Sequence, residues 1–142
     1  NQDARSALSE IRKRGLLAKP NGILKDAKLE AADLTEAILR EADLTGAKLN
    51  KAILRQSNLA KAFLANADLQ GADLTACFMR NTDLTGANLL GAILVNATLE
   101  HCTYGPDTIL PDGSSWHPDA NMKRFIDSTR IDFYDVKTSN EI

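Results

Sequence analysis

Residues 32–51 read ADLTE AILRE ADLTG AKLNK, four blocks of five in which alanine comes first and leucine third. The pattern extends in both directions, because leucine occupies every fifth position from Leu24 to Leu99 except position 79, which is Met79. Alanine stands two residues before twelve of these sixteen positions. A period of five held over about eighty residues indicates a repeat architecture.

A step of five residues rules out the two simplest elements. On an α-helix it advances about 500° and would scatter the leucines around the axis instead of forming a stripe. On a flat strand it would send successive leucines to opposite faces. The pattern works if alanine and leucine, two apart, point inward from a short extended segment and the next three residues turn a corner.

The corner position lies two residues after each leucine. Four glycines and three asparagines occupy it, which suits a turn residue with positive φ: Gly46, Gly71, Gly86, Gly91, Asn66, Asn81 and Asn96. Other repeats place larger polar residues there, and we expect different turn types at those corners: Asp26, Glu36, Glu41, Gln56 and Lys61.

The blocks at residues 32–36 (ADLTE), 42–46 (ADLTG) and 72–76 (ADLTA) closely resemble the A(D/N)LXX units of pentapeptide-repeat proteins. The resemblance covers sixteen units, from Gly22 to His101. It implies an all-β solenoid, a right-handed quadrilateral β-helix with four units per coil and about four coils. At the usual strand spacing of about 4.8 Å, four coils make a stack about 19 Å tall.

The composition fits a narrow interior. The chain of 142 residues is 44% hydrophobic but only 5% aromatic. A close-packed square tube has room for leucine and, beside it, a methyl-sized group. Cys77 and Cys102 fall in that small-residue position, so we interpret them as buried substitutes for alanine, with a disulfide as the minor alternative.

The sequence divides into three parts. Residues 1–21 are predicted to form an N-terminal capping helix, over Asp3–Arg14, and a turn; residues 22–104 form the repeat; residues 105–142 form a C-terminal cap and tail. Caps are expected because a solenoid exposes unpaired strand edges at its ends.

The C-terminal cap is predicted to be partly helical. Residues 110–116 (LPDGSSW) indicate a turn and an aromatic lid, and Asp119 is a candidate N-cap for a short helix through Phe125 and Ile126. This stretch also resembles the C-terminal extension of cyanobacterial pentapeptide-repeat proteins. Four later apolar residues are predicted to add a covering strand: Ile131, Phe133, Tyr134 and Val136.

No grouping of residues points to catalysis. His101 and His117 lack a nucleophile and carboxylate in recognisable spacing, and the glycines follow the corners rather than a phosphate-binding loop. Aspartates recur just before leucine, as at Asp33, Asp43 and Asp73, where solvated coil edges are a better interpretation than a cation site. We therefore expect no enzyme activity, no cofactor and no metal.

The outer surface offers the candidate interaction site. Residues twenty apart should stack on one side of the coil, and two sides then carry apolar side chains beside arginines, a composition found in protein interfaces. The candidate residues are Ile38, Arg40, Phe78 and Arg80 on one side, and Ile53, Arg55, Ile93 and Val95 on the other.

These features favour a non-catalytic scaffold or regulator that binds another protein. The alternative is a DNA-mimicking binder of a type II topoisomerase such as gyrase, an activity that the family resemblance implies. DNA carries one charge per about 1.7 Å, so a mimic about 19 Å long needs roughly eleven net negative charges. Residues 22–101 carry ten acidic and eight basic residues, a net charge of −2. We expect no direct nucleic-acid or membrane binding, and the compartment stays open between cytoplasm and a lumen or periplasm.

Overall fold

A computed structural model describes residues 24–129 of the chain. The predicted capping helix over Asp3–Arg14, the turn into the first repeat and the predicted covering strand at residues 131–136 lie outside the described residues.

Parallel pairing between residues twenty apart organises the repeat. Lys28 pairs with Lys48, and Lys48 in turn pairs with Asp68. The paired residues form four columns, which we call the four sides of the coil. Each side consists of the outward residues that come one position before the inward leucine of their block. The first side holds Asp43, Phe63, Asp83 and Thr103; the second holds Lys28, Lys48, Asp68, Asn88 and Ile109; the third holds Asp33, Ile53, Asp73 and Ile93; the fourth holds Ile38, Asn58, Phe78 and Thr98. Four five-residue blocks therefore complete one twenty-residue coil.

Each block uses its backbone N–H groups in the same way, as the block around Leu59 illustrates. The Leu59 N–H donates to Phe78 C=O in the next coil (2.7 Å), and the Lys61 N–H donates to Arg80 C=O (2.9 Å). The Asn58 N–H donates to the preceding coil, and the Ala62 N–H donates back to Leu59 C=O to close the corner. Four of the five N–H groups are thus paired by the backbone alone, which explains why a short block is stable only when stacked.

Every described corner has the same conformation, so the expectation of different turn types at the polar corners is wrong. Glu36, Glu41 and Lys61 have φ of 58°, 62° and 59°, close to the 69° of Gly46. A non-glycine residue in this region costs about 1 kcal/mol or more. The ladder bonds on both sides of the corner fix this conformation. The corner residue therefore adopts the conformation that the coil imposes, whatever its type.

The interior is a stack of leucine and alanine, as predicted. The side chains of Leu39, Leu59 and Leu64 have no exposed surface, and Met79 is equally buried at the one position without leucine. Alanine fills most of the neighbouring positions, with Ser57, Cys77 and Thr82 as buried exceptions.

The repeat changes at its C-terminal end. Thr103 pairs with Asp83, but the next paired residue on the second side is Ile109, so six residues rather than five separate the two positions. Ile109 also pairs antiparallel with Ser115. Parallel pairing therefore continues past residue 104, where the sequence places the end of the repeat.

One short helix, α1 (Lys123–Ile126), lies in the C-terminal region. Its N-cap is Met122, and no side chain caps it, so the prediction of Asp119 as N-cap is wrong. The helix is only one turn long, and Phe125 anchors it by entering the core. Within residues 24–129, no helix has the length and apolar character that crossing a membrane requires.

Candidate functional site

The predicted interaction residues lie on two adjacent sides of the coil. Ile38 and Phe78 belong to the fourth side and are about half exposed, at 51% and 55%. Ile53 and Ile93 belong to the third side and are less exposed, at 39% and 37%. Their outward placement follows from the period, because the inward positions of each block are already taken by alanine and leucine.

The apolar residues do not form continuous stripes. Asn58 pairs with both Ile38 and Phe78 and separates them by two coil spacings, about 10 Å. Asp73 separates Ile53 from Ile93 in the same way. Each candidate side is therefore a row of isolated apolar side chains with polar ones between them.

The three candidate arginines differ in their partners. Arg55 Nη1 lies 3.4 Å from Asp73 Oδ2, and Arg40 Nη2 lies 3.3 Å from Glu41 Oε1. The guanidinium of Arg80, two residues after Phe78, makes no hydrogen bond or ion pair with residues 24–129. Among the described residues of the candidate site, Phe78 and Arg80 are therefore an exposed aromatic side chain and an arginine side chain that no described neighbour engages.

Two exposed apolar residues were left out of the predicted site. Phe63 on the first side is 50% exposed, and Leu90, after Leu89 on the second side, is 40% exposed. Leu90 is the leucine that breaks the five-residue phase between Leu24 and Leu99, and that signal was readable in the sequence.

The aspartates and asparagines before leucine bind the backbone. Thr45 N–H donates to Asp43 Oδ1 (3.0 Å), and Ala60 N–H donates to Asn58 Oδ1 (3.0 Å). The same bond recurs from Thr35, Gln70, Thr75, Thr85 and Leu90 to the residue two positions earlier. This is the fifth N–H of the block, which the backbone ladder leaves unpaired.

That bond explains the recurring acidic residues without a cation. Hydrogen bonds from the Thr45 side chain and backbone lower the pKa of Asp43. Among residues 24–129, no group of three or more histidine, cysteine or acidic side chains is placed to hold a metal ion.

The threonine and cysteine side chains in the alanine position donate hydrogen bonds to backbone carbonyls. Thr82 Oγ1 donates to Leu59 C=O (2.8 Å), Cys102 Sγ to Met79 C=O (2.8 Å) and Cys77 Sγ to Ser57 C=O (3.3 Å). Both thiols are free. Burial raises the pKa of Cys77 to about 12 and that of Cys102 to about 11, so neither supplies a reactive thiolate at neutral pH.

A cavity of about 130 Å³ lies in the C-terminal region beside α1. It is lined by Leu110, Ser114, His117, Asp119, Ala120, Asn121, Arg124 and Phe125. Arg124 is occupied on its rim, because it bonds Asp112 and lies 4.6 Å over the Phe125 ring. His101 lies elsewhere, at a corner of the repeat, so the structure does not bring the two histidines into one site.

Pairing between residues twenty apart, identical corners and an inward column of leucines define a repeat protein, and its four outer sides are regular surfaces. The model of the pentapeptide repeat family matches residues 23–60 and 62–100 in eight copies, together 77 of the 142 residues. The chain belongs to the pentapeptide repeat family, which confirms the resemblance in its sequence. Its members form right-handed quadrilateral β-helices.

Solved structures of cyanobacterial pentapeptide repeat proteins are similar to this chain. Alr5209 from Nostoc PCC 7120 is 25% identical, with a TM-score of 0.60 over 86% of this chain and 93% of its own. HetL from the same cyanobacterium is 32% identical over 66% of this chain and 48% of its own, with a TM-score of 0.37. Rfr23 from Cyanothece 51142 is 33% identical over 70% of this chain and 71% of its own, with a TM-score of 0.32. A search of curated proteins finds no match.

Proposed function

We propose that this chain is a non-catalytic scaffold or regulator that binds another protein through its fourth side. The exposed Phe78 beside Arg80 is the observation that supports the proposal. Aromatic and arginine side chains dominate the energetics of protein interfaces, and the rigid ladder beneath them means that little backbone ordering accompanies binding.

The fourth side is a better candidate than the third. On the third side, Arg55 is engaged by Asp73, and that same aspartate lies between Ile53 and Ile93. A partner would have to desolvate this ion pair to reach the isoleucines, at a cost that the contact must offset. On the fourth side, uncharged Asn58 occupies the corresponding position.

The test is affinity capture of a partner from the native source, followed by titration of that purified partner with variants. We expect Phe78→Glu and Arg80→Glu each to weaken binding by at least about tenfold, as loss of a central contact does. The matched control is Phe63→Glu, a similarly exposed phenylalanine on the first side, which should change affinity less than about threefold. Equal losses at Phe63 and Phe78 would contradict the assignment of the fourth side.

The proposed architecture is four coils with a cap at each end, the first a helix over Asp3–Arg14. A chain lacking residues 1–21 tests the N-terminal cap. We expect it to associate at concentrations where the full chain is monomeric, because the first coil then presents an unpaired edge. A monomeric and equally stable truncated chain would contradict the cap.

The alternative function is a DNA-mimicking binder of gyrase. The repeat carries only −2 net charge against the roughly eleven negative charges that a duplex of its length presents. Within the described residues, two of the acidic groups that this net charge counts, on Glu41 and Asp73, lie beside Arg40 and Arg55. Inhibition of gyrase supercoiling at micromolar concentration would favour this alternative over the scaffold.

A further inference from the structure

The two exposed phenylalanines of the coils occupy the same position in their blocks but have different neighbours. Phe63 lies on the first side and pairs with Asp43 in the preceding coil and with Asp83 in the next one. Phe78 lies on the fourth side, and both residues that pair with it are uncharged. Of the two rings, only that of Phe63 therefore has a carboxylate as its neighbour in both directions along the column.

The ring and the carboxylates of the first side are held in place and accessible. Phe63 is 50% exposed, and no described lysine or arginine lies over its ring. Asp83 Oδ1 accepts from Thr85 N–H (2.9 Å), which fixes the side chain against the coil. Asp83 Oδ2 makes no hydrogen bond or ion pair with residues 24–129. An oxygen fixed beside an exposed ring can bind a partner with little further loss of side-chain freedom.

The C-terminal region shows which side chain fits a phenylalanine beside an aspartate. The guanidinium carbon of Arg124 lies 4.6 Å from the centroid of the Phe125 ring, and Arg124 Nη2 also bonds Asp112 Oδ2. A planar guanidinium can stack on an aromatic face and bond a carboxylate with its edge at the same time. The first side supplies the ring and the carboxylate of this arrangement, but no described arginine completes it.

The charges around the first side favour a cation and favour Asp83 as its partner. Hydrogen bonds from Thr45 and, to a smaller extent, the Lys25 charge lower the pKa of Asp43, so Lys25 already offsets part of the charge of that carboxylate. Lys61, at the corner before the first side, forms no ion pair with either aspartate. Asp83 has uncharged neighbours on both sides in its column. A partner of complementary, positive charge is therefore expected to bind beside Asp83.

We propose that the first side binds a protein partner through an arginine side chain, which stacks on Phe63 and bonds the Asp83 carboxylate. Neighbouring coils are about 4.8 Å apart, so the carboxylate lies beside the ring and leaves its outer face open to the guanidinium. Asp43 adds a weaker attraction from the other side. This surface is separate from Phe78 and Arg80 on the fourth side, so either proposal can fail without the other.

Titration of the full chain with two blocked peptides tests the proposal. One is acetyl-Gly-Arg-Gly-amide, and the other replaces arginine by citrulline, which has nearly the same shape but no charge. Nuclear magnetic resonance of the ring protons should show saturable shifts at Phe63 with the arginine peptide and intermolecular contacts to its side chain. The citrulline peptide should bind at least about fivefold more weakly, because it lacks the charge for both interactions. Equal binding of the two peptides, or no saturable shift at Phe63, overturns the proposal.

Variants of the full chain locate the bound arginine. Asp83→Asn and Phe63→Leu should each weaken binding of the arginine peptide at least about twofold, and Asp43→Asn should weaken it less than Asp83→Asn does. Phe78→Leu is the matched control and should leave the affinity unchanged. The Leu64 amide should exchange equally slowly in all four variants, which shows that the coils remain folded. Unchanged affinity in Asp83→Asn, or an equal loss in Phe78→Leu, overturns the proposal.

Discussion

The coils at residues 24–103 and the C-terminal region at residues 104–129 are stabilised in different ways. In the coils, a block typically buries one leucine and one small residue and uses the backbone bonds described for the block around Leu59. In the C-terminal region, the packing contacts differ from one another: Tyr104 stacks on Trp116 at 5.5 Å, Phe125 fills the core, and Arg124 bonds Asp112.

The difference teaches how a solenoid ends. A coil interior has no room for aromatics, but the end of the stack must be covered by side chains with large area. Among the described residues, the aromatic side chains are therefore either outside the coil, as Phe63 and Phe78 are, or at the C-terminal end, as Tyr104, Trp116 and Phe125 are. This distribution agrees with the prediction that the interior of the tube has room only for leucine and a methyl-sized group.

The largest expected effect comes from the interior of the coils. Leu64→Ala removes a fully buried side chain from a tube that cannot collapse around the cavity, and should lower the free energy of unfolding by about 3 kcal/mol. Phe63→Ala, next to it but outside, should lower it by less than about 1 kcal/mol. Urea unfolding of both variants measures the contrast, and similar losses would contradict the assignment of inside and outside.

A smaller effect is expected where the coil gives way to the C-terminal region. Thr108 is fully buried, and its Oγ1 donates to Leu84 C=O while accepting from Gly86 N–H and Gly105 N–H. Thr108→Val leaves these groups unpaired and should cost about 2 kcal/mol.

The matched control is Thr82→Val within the coils. Thr82 Oγ1 makes one described bond, to Leu59 C=O, so the expected loss is about 1 kcal/mol. Thermal or urea unfolding of the two valine variants compares Thr108, which links three backbone groups, with Thr82, which bonds one. Equal losses of unfolding free energy would show that the additional bonds of Thr108 contribute nothing.

The corners allow a test of opposite sign. Gly86→Ala should destabilise by about 1 kcal/mol, because φ is +68° and the added Cβ would overlap Asn66 Oδ1. Ala76→Gly, at a corner with φ of 56°, should be neutral or stabilising, since it removes the strain of a left-handed alanine. Destabilisation by Ala76→Gly as large as that by Gly86→Ala would refute a common corner conformation.

The smallest effect is electrostatic and confined to the C-terminal region. Partial burial alone would raise the pKa of Asp112, but hydrogen bonds from Ser114 and the Arg124 charge outweigh it and lower the pKa. A carboxylate with a lowered folded-state pKa stabilises the protein above its ordinary pKa, near 3.8, and the contribution is lost as pH falls through the lowered value.

Asp112→Asn should therefore lower the melting temperature, relative to the parent chain, by more at pH 6 than at pH 2. Asp119→Asn, an exposed position in the same region, is the control and should have little effect at either pH. A difference between Asp112→Asn and the parent that persists undiminished at pH 2 would rule out the ionised carboxylate as its source.

The sequence predicted the coil well because its information is periodic. The positions of leucine and alanine determine which side chains point inward, and the inward and outward assignments of Leu64 and Phe63 follow from position alone. The prediction made from residue type was wrong at the corners, where Glu36 and Lys61 adopt positive φ. The ladder hydrogen bonds override a local conformational preference of about 1 kcal/mol.

The C-terminal region was less predictable because it does not repeat. The sequence did not reveal that Thr108 bonds three backbone groups, since this position depends on an extra residue near Gly105 that shifts the register. Likewise, side-chain geometry that the period does not encode determines which arginines form ion pairs. Arg40 lies beside Glu41 and Arg55 beside Asp73, whereas the Arg80 guanidinium has no described partner. The sequence thus predicted which residues of the candidate site point outward, but not which of them are most exposed or lack an ion pair.

Residue-resolved amide hydrogen exchange tests the central claim, that one five-residue hydrogen-bonding unit repeats along a twenty-residue coil. We predict slow exchange at the leucine amides, such as Leu39, Leu54 and Leu74, and fast exchange one residue later at Arg40 and Arg55, which have no aspartate or asparagine before the leucine. A protection pattern with a period of two or of 3.6 residues, or uniform protection through residues 38–57, would contradict the account.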